Sequence, residues 1–404
     1  MLTRIAFRNI FRNRRRSAIT LLVIVAGAIG LILFGGYKAH TIRALRESTI
    51  RNRLGHIQIY KLGYSKSESQ KPLEYAIDNI AEIRRAVEQD KRVTMTAAQI
   101  TLMGLLSNGE KSETFIATAV EPEKDRLMGS QRLLSGTNLL LDEPDAVLLG
   151  RGLAASMHAK PGDYLTIMTT TVAGSLNAVD VRVAGTFTIG VKEFDDRALK
   201  IPIKGAQQLL QTSKVEKLLV FLKETDDTAA VHGDLQKLFA EKSWALEMKE
   251  WSELAGFYHQ VVAFYNGIFG FLGVIVFAIV VFSVANTIMM SIFERTREIG
   301  TLMAIGTTRE RVWRMFLLEG FVIGMLGGIL GVVAGAAVAT IINHSNMMLP
   351  PPPGYTVGYP LKILMQRNVF VTAALISIVT STVSAILPAL KASRMKIVDA
   401  LGHI

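Results

Sequence analysis

The residue types that most often perform chemistry are scattered along this sequence. No two of its seven histidines lie within one helical turn of each other, so no His-x-x-x-His metal pair exists. Cysteine is absent, which excludes disulfides, thiolate nucleophiles and cysteine-ligated metals. Neither a Gly-x-x-x-x-Gly-Lys-Ser/Thr phosphate loop nor a Gly-x-Gly-x-x-Gly turn occurs. We therefore expect a chain that is not an enzyme, holds no metal or cofactor and does not bind ATP by itself.

One short catalytic pattern does occur near the C-terminus. Ser393 and Lys396 fit Ser-x-x-Lys, the spacing of a serine nucleophile and its lysine in some acyl-transfer enzymes. Four-residue matches are common, and this one lies in a basic tail that follows an apolar run. We interpret it as a segment that contacts lipid headgroups.

A more informative charged segment is SIFERTREIGTLMAIGTTRERV, residues 291 to 312, which separates two long apolar runs. Residues 294 to 305 predict a helix of about three turns, roughly 18 Å at 1.5 Å per residue. Gly306 suits the left-handed position that ends a helix. Thr307 and Glu310 fit a Thr-x-x-Glu capping box, which would start the next helix.

The predicted short helix carries an apolar patch at helical spacing, made of Ile299, Leu302 and Met303. Charges of both signs surround it. An exposed apolar patch with a charged rim suits docking into a groove on another protein. The alternative is a solvated loop with the basic residues typical of a cytoplasmic side; the caps and the patch favour docking.

The elements on both sides of this segment are membrane spans. The chain has 404 residues, of which 50% are hydrophobic and 20% charged, a mixture too apolar for an average soluble protein and too charged for one that lies wholly in the membrane. Four segments reach the length of about 20 apolar residues that one crossing needs. The first is too long for a signal-peptide core, and no cleavage signal follows it, so we interpret it as an anchor. The predicted spans are 17–37, 261–293, 315–342 and 369–390.

Basic residues predict the orientation of these spans. The formal net charge is +11, and Lys and Arg cluster before the first span, in the 294–314 loop and in the 391–404 tail. The positive-inside rule then places both termini and the 294–314 loop in the cytoplasm. The 38–260 segment and the 343–368 loop face outside. This distribution also makes nucleic acid an unexpected partner.

The first sixteen residues predict a helix that lies on the cytoplasmic membrane surface. Apolar residues recur there at helical spacing, and arginines occupy another face, which is typical of an interfacial amphipathic helix.

The 38–260 segment predicts a mixed α+β domain. Strand patterns alternate with helix patterns along it, and a helix, a turn and a strand are predicted over 148–168. The predicted strands are 56–60, 113–120, 179–189 and 215–222, and the predicted helices are 77–87 and 228–239.

The third span carries two small-xxx-small stripes and one buried acid. Such stripes let helices approach closely, either within one chain or between two chains of a dimer, and the sequence leaves both possibilities open. Glu319 lies near the cytoplasmic end of this span, and we expect it to pair with a neighbouring arginine or helix dipole. The stripes are Gly320, Gly324 and Gly328, and Gly327, Gly331 and Gly335.

The stretch ANTIMMSIFERTREIGTLMAIGTTRERVWRMFLLEG, residues 285 to 320, closely resembles the signature of the FtsX-like permease domain. That family includes MacB-type, LolC/LolE-type and FtsX-type subunits of ABC transporters. The start RIAFRNIFRNRRRSAITLLVIVAG resembles its N-terminal elbow and first span. VLLGRGLAASMHAKPGDYLTI and LKIPIKGAQQLL resemble its periplasmic core domain. PPPPGYTVGYPL resembles its last outside loop and LPALKASRMKIVDAL its C-terminal tail.

The resemblance implies a membrane protein with four transmembrane helices, one before and three after a large α+β extracytoplasmic domain. It implies the bacterial inner membrane, with that domain in the periplasm. In the family, the short cytoplasmic helix contacts an ATPase, which here would be a separate chain, as in the LolC/LolE arrangement. ATP and Mg²⁺ would bind to that partner. The matching residues are Glu294, Arg295, Thr296, Arg297, Glu298, Ile299, Gly300 and Gly306.

The resemblance also implies a dimer of identical or homologous permease chains with two ATPase subunits. ATP-driven motion would pass through the spans to the outside domains. We favour extraction or export of a lipoprotein or other amphiphilic substrate, with membrane lipid and a periplasmic acceptor as further partners. One alternative is an efflux pump with a periplasmic adaptor and an outer-membrane channel. The other is an FtsX-like signalling module that activates a cell-wall hydrolase.

Overall fold

The computed structural model of the chain describes residues 14–67, 72–129, 131–350, 358–397 and 400. The interfacial helix predicted for residues 1–16 lies almost wholly outside the described residues. Most of the 350–361 loop and the end of the tail lie outside them too.

The described residues form two compact units. The membrane unit contains the described residues of Met1–Arg43, Val261–Leu349 and Pro360–Ile404. The sheet unit contains those of Ala44–Gln260 and Pro350–Tyr359.

Thirteen helices are found among the described residues, and four of them are long and apolar enough to cross a membrane: α1, α10, α12 and α13. In chain order the helices are α1 (Arg14–Thr49), α2 (Tyr64–Ser67), α3 (Ile80–Val87), α4 (Pro122–Met128), α5 (Arg151–Ser156), α6 (Lys192–Asp195), α7 (Ile203–Leu210), α8 (Thr228–Glu241), α9 (Trp251–Leu254), α10 (Gly256–Glu294), α11 (Thr296–Ala304), α12 (Arg309–His344) and α13 (Arg367–Ser393).

Twelve strands accompany them, ten of which join in one sheet of the sheet unit. They are β1 (Ile57–Lys61), β2 (Val93–Ser107), β3 (Ser112–Val120), β4 (Arg132–Gly136), β5 (Ala146–Gly150), β6 (Tyr164–Thr170), β7 (Leu176–Thr188), β8 (Ala198–Pro202), β9 (Lys217–Leu222), β10 (Leu246–Glu250), β11 (Met348–Leu349) and β12 (Tyr359–Pro360).

The number and order of the long helices confirm the prediction of one span, a large domain and three further spans. The helices are longer than the apolar runs. The first continues through the polar residues after Tyr37 to Thr49, because backbone hydrogen bonding does not require apolar side chains. The helical turns Ile50–Leu54, which follow this helix, end at Gly55, whose φ is +64°. Where the bilayer boundary lies on each helix stays a prediction.

One half of the sheet unit is a split βαβ pair. The units β1-α3-β2 and β9-α8-β10 interleave, so the strand order is β10-β1-β9-β2 with every pair antiparallel. This is the arrangement of ferredoxin-like folds. The sequence of helix α8 explains its packing. Val231, Leu235 and Phe239 recur every four residues, so they share one face of the helix, and all three are buried in the core.

The other half of the sheet unit is inserted between β2 and β9. The second part of β2 pairs with β3, and β6 pairs with both β2 and β7. Strands β2, β3, β8, β5, β7 and β6 therefore form a closed ring. A closed ring leaves few unpaired strand edges within this half.

The sequence patterns predicted β1, β3, β6, β7 and β9 but missed the other five strands of the large sheet, β2, β4, β5, β8 and β10, of which β2 is the longest. Its residues Thr96, Ala97 and Ala98 are buried in succession, so the usual alternation is lost. The cause is burial on both faces: Ala98 joins the main core, whereas Ala97 packs with Leu219 and Phe221 on the opposite face.

Candidate functional site

The candidate site is the short helix α11 and the turns that bound it. Helix α10 continues to Glu294, and α11 begins at Thr296, so Arg295 alone separates the two helices. The sequence prediction of a helix from 294 to 305 was therefore wrong at its start. The Thr296 hydroxyl donates to the carbonyl oxygens of Ile292 (3.0 Å) and Phe293 (3.1 Å), which satisfies carbonyls at the end of α10.

The end of α11 confirms the role predicted for Gly306. Its φ is +102°, its amide donates to Met303 O (3.1 Å), and the Thr307 amide donates to Leu302 O (2.9 Å). This pair of bonds is the Schellman motif, with glycine at the position after the helix end. Apart from its chain neighbours, no described residue comes within 4 Å of where a Cβ would be at Gly306, so the positive φ explains the glycine.

The start of α12 differs from the prediction by one residue. The N-cap is Thr308 instead of Thr307, and its side chain accepts a hydrogen bond from the Arg311 amide at 3.4 Å. The Schellman motif explains the shift, because Thr307 already belongs to the turn that ends α11.

One face of α11 is packed against the long helices. Four of the eight residues implied by the family resemblance are buried there: Arg295, Thr296, Ile299 and Gly300. Ile299 is 1% exposed and shares a core with Ile292 of α10, Phe316 of α12 and Ala392 of α13. Residues of three long helices therefore share one core with this face of α11.

The prediction that the apolar patch is an exposed docking surface was wrong for Ile299, which is buried. Spacing showed that three residues share a face, but not that this face meets the protein's own helices. Met303 packs partly against the same core, whereas Leu302 is 42% exposed. Ile305, which the sequence analysis did not single out as a site residue, is 79% exposed.

The other face of α11 is open and charged. Glu294, Arg297, Glu298 and Gly306 are exposed, and Leu302 and Ile305 lie beside them. The Arg295 Nε donates to Glu298 Oε2 at 3.0 Å, and Arg16 forms an ion pair with Glu294 at 2.9 Å. Among the described residues, Arg297 has no carboxylate within ion-pair distance.

Two family models match the chain. The MacB-like periplasmic core domain matches residues 17–238, which is more than half of the chain, and the FtsX-like permease C-terminal model matches residues 270–397. The chain belongs to the FtsX-like and MacB-like family of ABC transporter permeases. It is therefore a multi-pass membrane protein with its large α+β domain between the first and second spanning helices.

Individual relatives and one solved structure are similar to the chain over different lengths. The chain is 20% identical over 411 residues to the lipoprotein-releasing system transmembrane protein LolC of Xylella fastidiosa, covering 97% of this chain and 96% of LolC. It is 34% identical over 120 residues to the Bacillus subtilis ABC transporter permease YvrN, covering 30% of this chain and 26% of YvrN. The periplasmic region of MacB from Actinobacillus actinomycetemcomitans shows a TM-score of 0.37 and 14% identity, covering 51% of this chain and 93% of that one.

The glycines of the permease's third spanning helix pack within the chain. A Cβ at Gly320 would come 2.7 Å from the Ala385 Cβ, and Gly324 faces Ser381 of α13 in the same way. A Cβ at Gly331 would come 2.4 Å from the Ala28 Cβ of α1. Gly327 and Gly335 face α1 as well, and Gly328 faces α13. Contacts inside one chain therefore account for both stripes without a second copy.

Glu319 of the permease is buried on α12, and its Oε2 has no hydrogen-bond partner among the described residues. Arg295, whose Nη1 is also buried without a partner, attracts it electrostatically without reaching ion-pair distance. The expected direct pairing of Glu319 with an arginine is therefore not found in the part of the chain that the structure describes.

The catalytic pattern at Ser393 has a structural explanation. Its hydroxyl donates to Leu390 O (3.0 Å) in its own helix. Among the described residues, no group of three or more His, Asp or Glu side chains is placed to hold a metal ion.

Proposed function

We propose that this chain is the permease subunit of a transporter whose ATPase is a separate chain that docks on the exposed face of α11. The observation that carries the proposal is the division of α11 into two faces. One face is fixed among α10, α12 and α13 through Ile299, and the other is open. A helix held in this way transmits a force applied to its open face into the spanning helices.

The exposed residues contribute to this docking in different ways. Arg297 supplies a positive charge that no described carboxylate neutralises, and Leu302 and Ile305 supply apolar contact area. Interfaces commonly combine such an apolar centre with charged neighbours. Arg295, Thr296 and Gly300 hold the helix in place from its buried side. ATP and Mg²⁺ bind to the partner, and this chain is not itself catalytic.

The positive-inside rule supports an orientation with α11 and both termini in the cytoplasm and the sheet unit outside. In a bacterium with two membranes this corresponds to the inner membrane, with the sheet unit in the periplasm. Two permease chains and two ATPases complete the assembly.

For the substrate, we propose a lipoprotein or another amphiphilic molecule that is extracted from the membrane or exported. The support is the alignment with LolC, a protein of a lipoprotein-releasing system, over nearly the whole length of both chains. The two alternatives predict other partners: an efflux pump would bind a periplasmic adaptor, and a signalling module would bind a cell-wall hydrolase.

Purification from native membranes in mild detergent, followed by mass spectrometry, tests this proposal. We expect an ABC ATPase, a second permease chain and a lipoprotein or lipid-carrier protein. Recovery of a periplasmic adaptor or a cell-wall hydrolase in place of the lipoprotein would contradict the substrate proposal. The adaptor would favour the efflux pump, and the hydrolase would favour the signalling module. The absence of any ATPase would overturn the docking role of α11.

Two variants test the docking face within the same experiment. Arg297→Glu should lower ATPase recovery, whereas Arg367→Glu, an exposed arginine at the start of α13, should not. Gly306→Val should weaken stimulation of the ATPase, because a β-branched residue resists a φ of +102°. Its control is Ala304→Val, which adds the same side chain at an exposed position within α11.

A further inference from the structure

A basic cavity lies beside the start of α11, between the end of α10 and the segment that follows α13. Its volume is about 520 Å³, within the range of small-molecule pockets. Its walls come from residues far apart in the sequence, which is why no local motif indicated it. The lining residues that matter are Phe293, Thr296, Lys391, Arg394, Met395 and Lys396.

The rim of this cavity is positively charged. Lys391, Arg394 and Lys396 are exposed, and none has a carboxylate partner among the described residues. Glu294, the last residue of α10, forms an ion pair with Arg16 at 2.9 Å. Three uncompensated cations around one opening attract an anion, and phosphate oxygens suit both lysine and arginine donors.

The wall of the cavity is apolar. Met289, Ile292 and Phe293 contribute it from the end of α10, and Met395 contributes it from the opposite side. Lys391 Nζ lies 5.7 Å from the centroid of the Phe293 ring, so charge and apolar surface meet at one place. A free anion would contact only the charged rim. A molecule with both a charged head and apolar chains would contact the rim and the apolar wall.

The segment that carries two of the cations is held in position. The Arg394 amide donates to Leu390 O (3.2 Å), and the Ala400 amide donates to Lys396 O (3.0 Å). Ala392 and Ala400 are both buried. The cations are therefore presented by a folded segment at the end of a spanning helix, which is the level where lipid headgroups lie.

We propose that this cavity binds the headgroup of an anionic phospholipid, with part of an acyl chain against Phe293 and Met395. Basic pockets at the ends of spanning helices recognise such headgroups by the same combination of charge and apolar contact. Thr296, the first residue of α11, lines the cavity, so a bound lipid steadies the joint between α10 and α11. The inference concerns a lipid site and does not depend on the proposed ATPase docking.

The test measures lipid retained by the purified full-length chain. The protein is exchanged into detergent micelles that contain equal amounts of dioleoyl phosphatidylglycerol and dioleoyl phosphatidylcholine, and native mass spectrometry counts the bound lipids. We expect selective retention of phosphatidylglycerol. The triple variant Lys391→Gln, Arg394→Gln, Lys396→Gln should lower its affinity by about 100-fold, at about fivefold per basic residue.

A matched control removes the same charge elsewhere. Arg309→Gln, Arg311→Gln, Arg314→Gln neutralises three exposed arginines at the start of α12 and should leave retention unchanged. Phe293→Ser should lower retention of the lipid by removing the apolar wall.

Four outcomes would overturn the proposal. The first is equal retention of both lipids by the unmodified chain. The second is an equal loss in both triple variants, because that indicates a diffuse charge effect. The third is binding of inorganic phosphate as tight as that of the lipid, which indicates a site for a free anion. The fourth is a cavity variant that keeps phosphatidylglycerol but no longer co-purifies with the ATPase, which indicates a protein-docking surface.

Discussion

The sheet unit and the membrane unit both bury large apolar side chains, but the membrane unit also relies on glycines where its helices pack closely. The sheet unit buries large apolar side chains such as Phe115, Phe187 and Leu149. In the membrane unit, Phe316 and Ile24 are buried too, but small residues also meet between helices, where Gly331 of α12 faces Ala28 of α1 and Gly324 faces Ser381 of α13.

This difference follows from the solvent on the outside of each unit. Burying apolar surface away from water is favourable by about 25 cal/mol per Å², so a domain that faces water gains most from large side chains. Lipid tails are as apolar as leucine, so helices in a bilayer gain instead from close backbone approach and interhelical hydrogen bonds. The four predictions below test whether the two units depend on these different interactions.

The largest effect is expected from a truncation in the sheet unit. Phe115 is 1% exposed and lies opposite Gly104 on the neighbouring strand, with its ring covering the glycine. Phe115→Ala should lower the free energy of unfolding by about 3–5 kcal/mol, because it removes apolar burial and leaves a cavity. Denaturant unfolding followed by tryptophan fluorescence measures this, since Trp244 packs against Phe239 in the same unit.

The control for this change is Leu176→Ala, at a position that is 76% exposed, where we expect a change within about 0.5 kcal/mol. Equal effects of the two substitutions would contradict the assignment of Phe115 to the core.

In the membrane unit, enlarging a glycine should cause the next largest loss. A Cβ at Gly331 would lie 2.4 Å from the Ala28 Cβ, so Gly331→Leu should force α1 and α12 apart and cost about 1–3 kcal/mol or more. Gly270→Leu in α10 is the matched control, because no described residue outside the neighbouring turns of α10 lies within 4 Å of its Cβ position. Thermal stability in detergent should fall for the first variant only, and a similar fall in both would show that α10 is covered in the assembly.

Acid should weaken the sheet unit through His56. Its Nδ1 accepts a hydrogen bond from the Leu222 amide at 3.1 Å, and burial lowers its pKa from 6.5 to about 4. Between these values the unfolded chain binds a proton that the folded chain does not, so stability falls as the pH falls through this window. The slope should approach about 1.4 kcal/mol per pH unit.

Unfolding measured between pH 7 and pH 4 gives this slope. His56→Gln should make the pH dependence shallower, whereas His344→Gln, an exposed histidine of the membrane unit, should leave it unchanged. An identical slope in the His56 variant would assign the acid sensitivity to other groups.

The smallest effect concerns one interhelical hydrogen bond. The Ser381 hydroxyl donates to Gly320 O at 2.7 Å, so Ser381→Ala should cost about 0.6 kcal/mol, the average for such bonds in membranes. Thr382→Ala is the comparison, because the Thr382 hydroxyl bonds to Ile378 O in its own helix. A loss for Ser381→Ala greater than that of Gly331→Leu would show that this hydrogen bond between α13 and α12 contributes more to stability than the close packing of α12 on α1.

Much of the fold could be predicted because its signals are local. Four apolar runs predicted four long helices, and Gly306 was recognised from its place after a helical pattern. Strand β1 was found within one residue of its observed bounds from the alternation of residue types over 56–60, although its residues Ile57 to Tyr60 are all buried. Strand β2 was missed because its burial on two faces depends on β9 and on residues far along the chain.

The candidate site was predicted only in part. Spacing grouped Ile299 with Leu302 on one face, but whether that face meets solvent depends on α12 and α13, which lie outside the segment. The cap at Thr308 instead of Thr307 was decided by the turn that closes α11. The role of the eight family-matched residues in docking an ATPase stays a prediction.

By itself the sequence determined the number and order of the apolar helices, the side on which basic residues gather, and the family, through residues 285 to 320. These properties depend on the composition and length of continuous segments. Tertiary structure alone decided which face of α11 is open, which glycines are covered, and that Lys391, Arg394 and Phe293 surround one cavity. Each of these depends on contacts between residues that the chain brings together from distant positions.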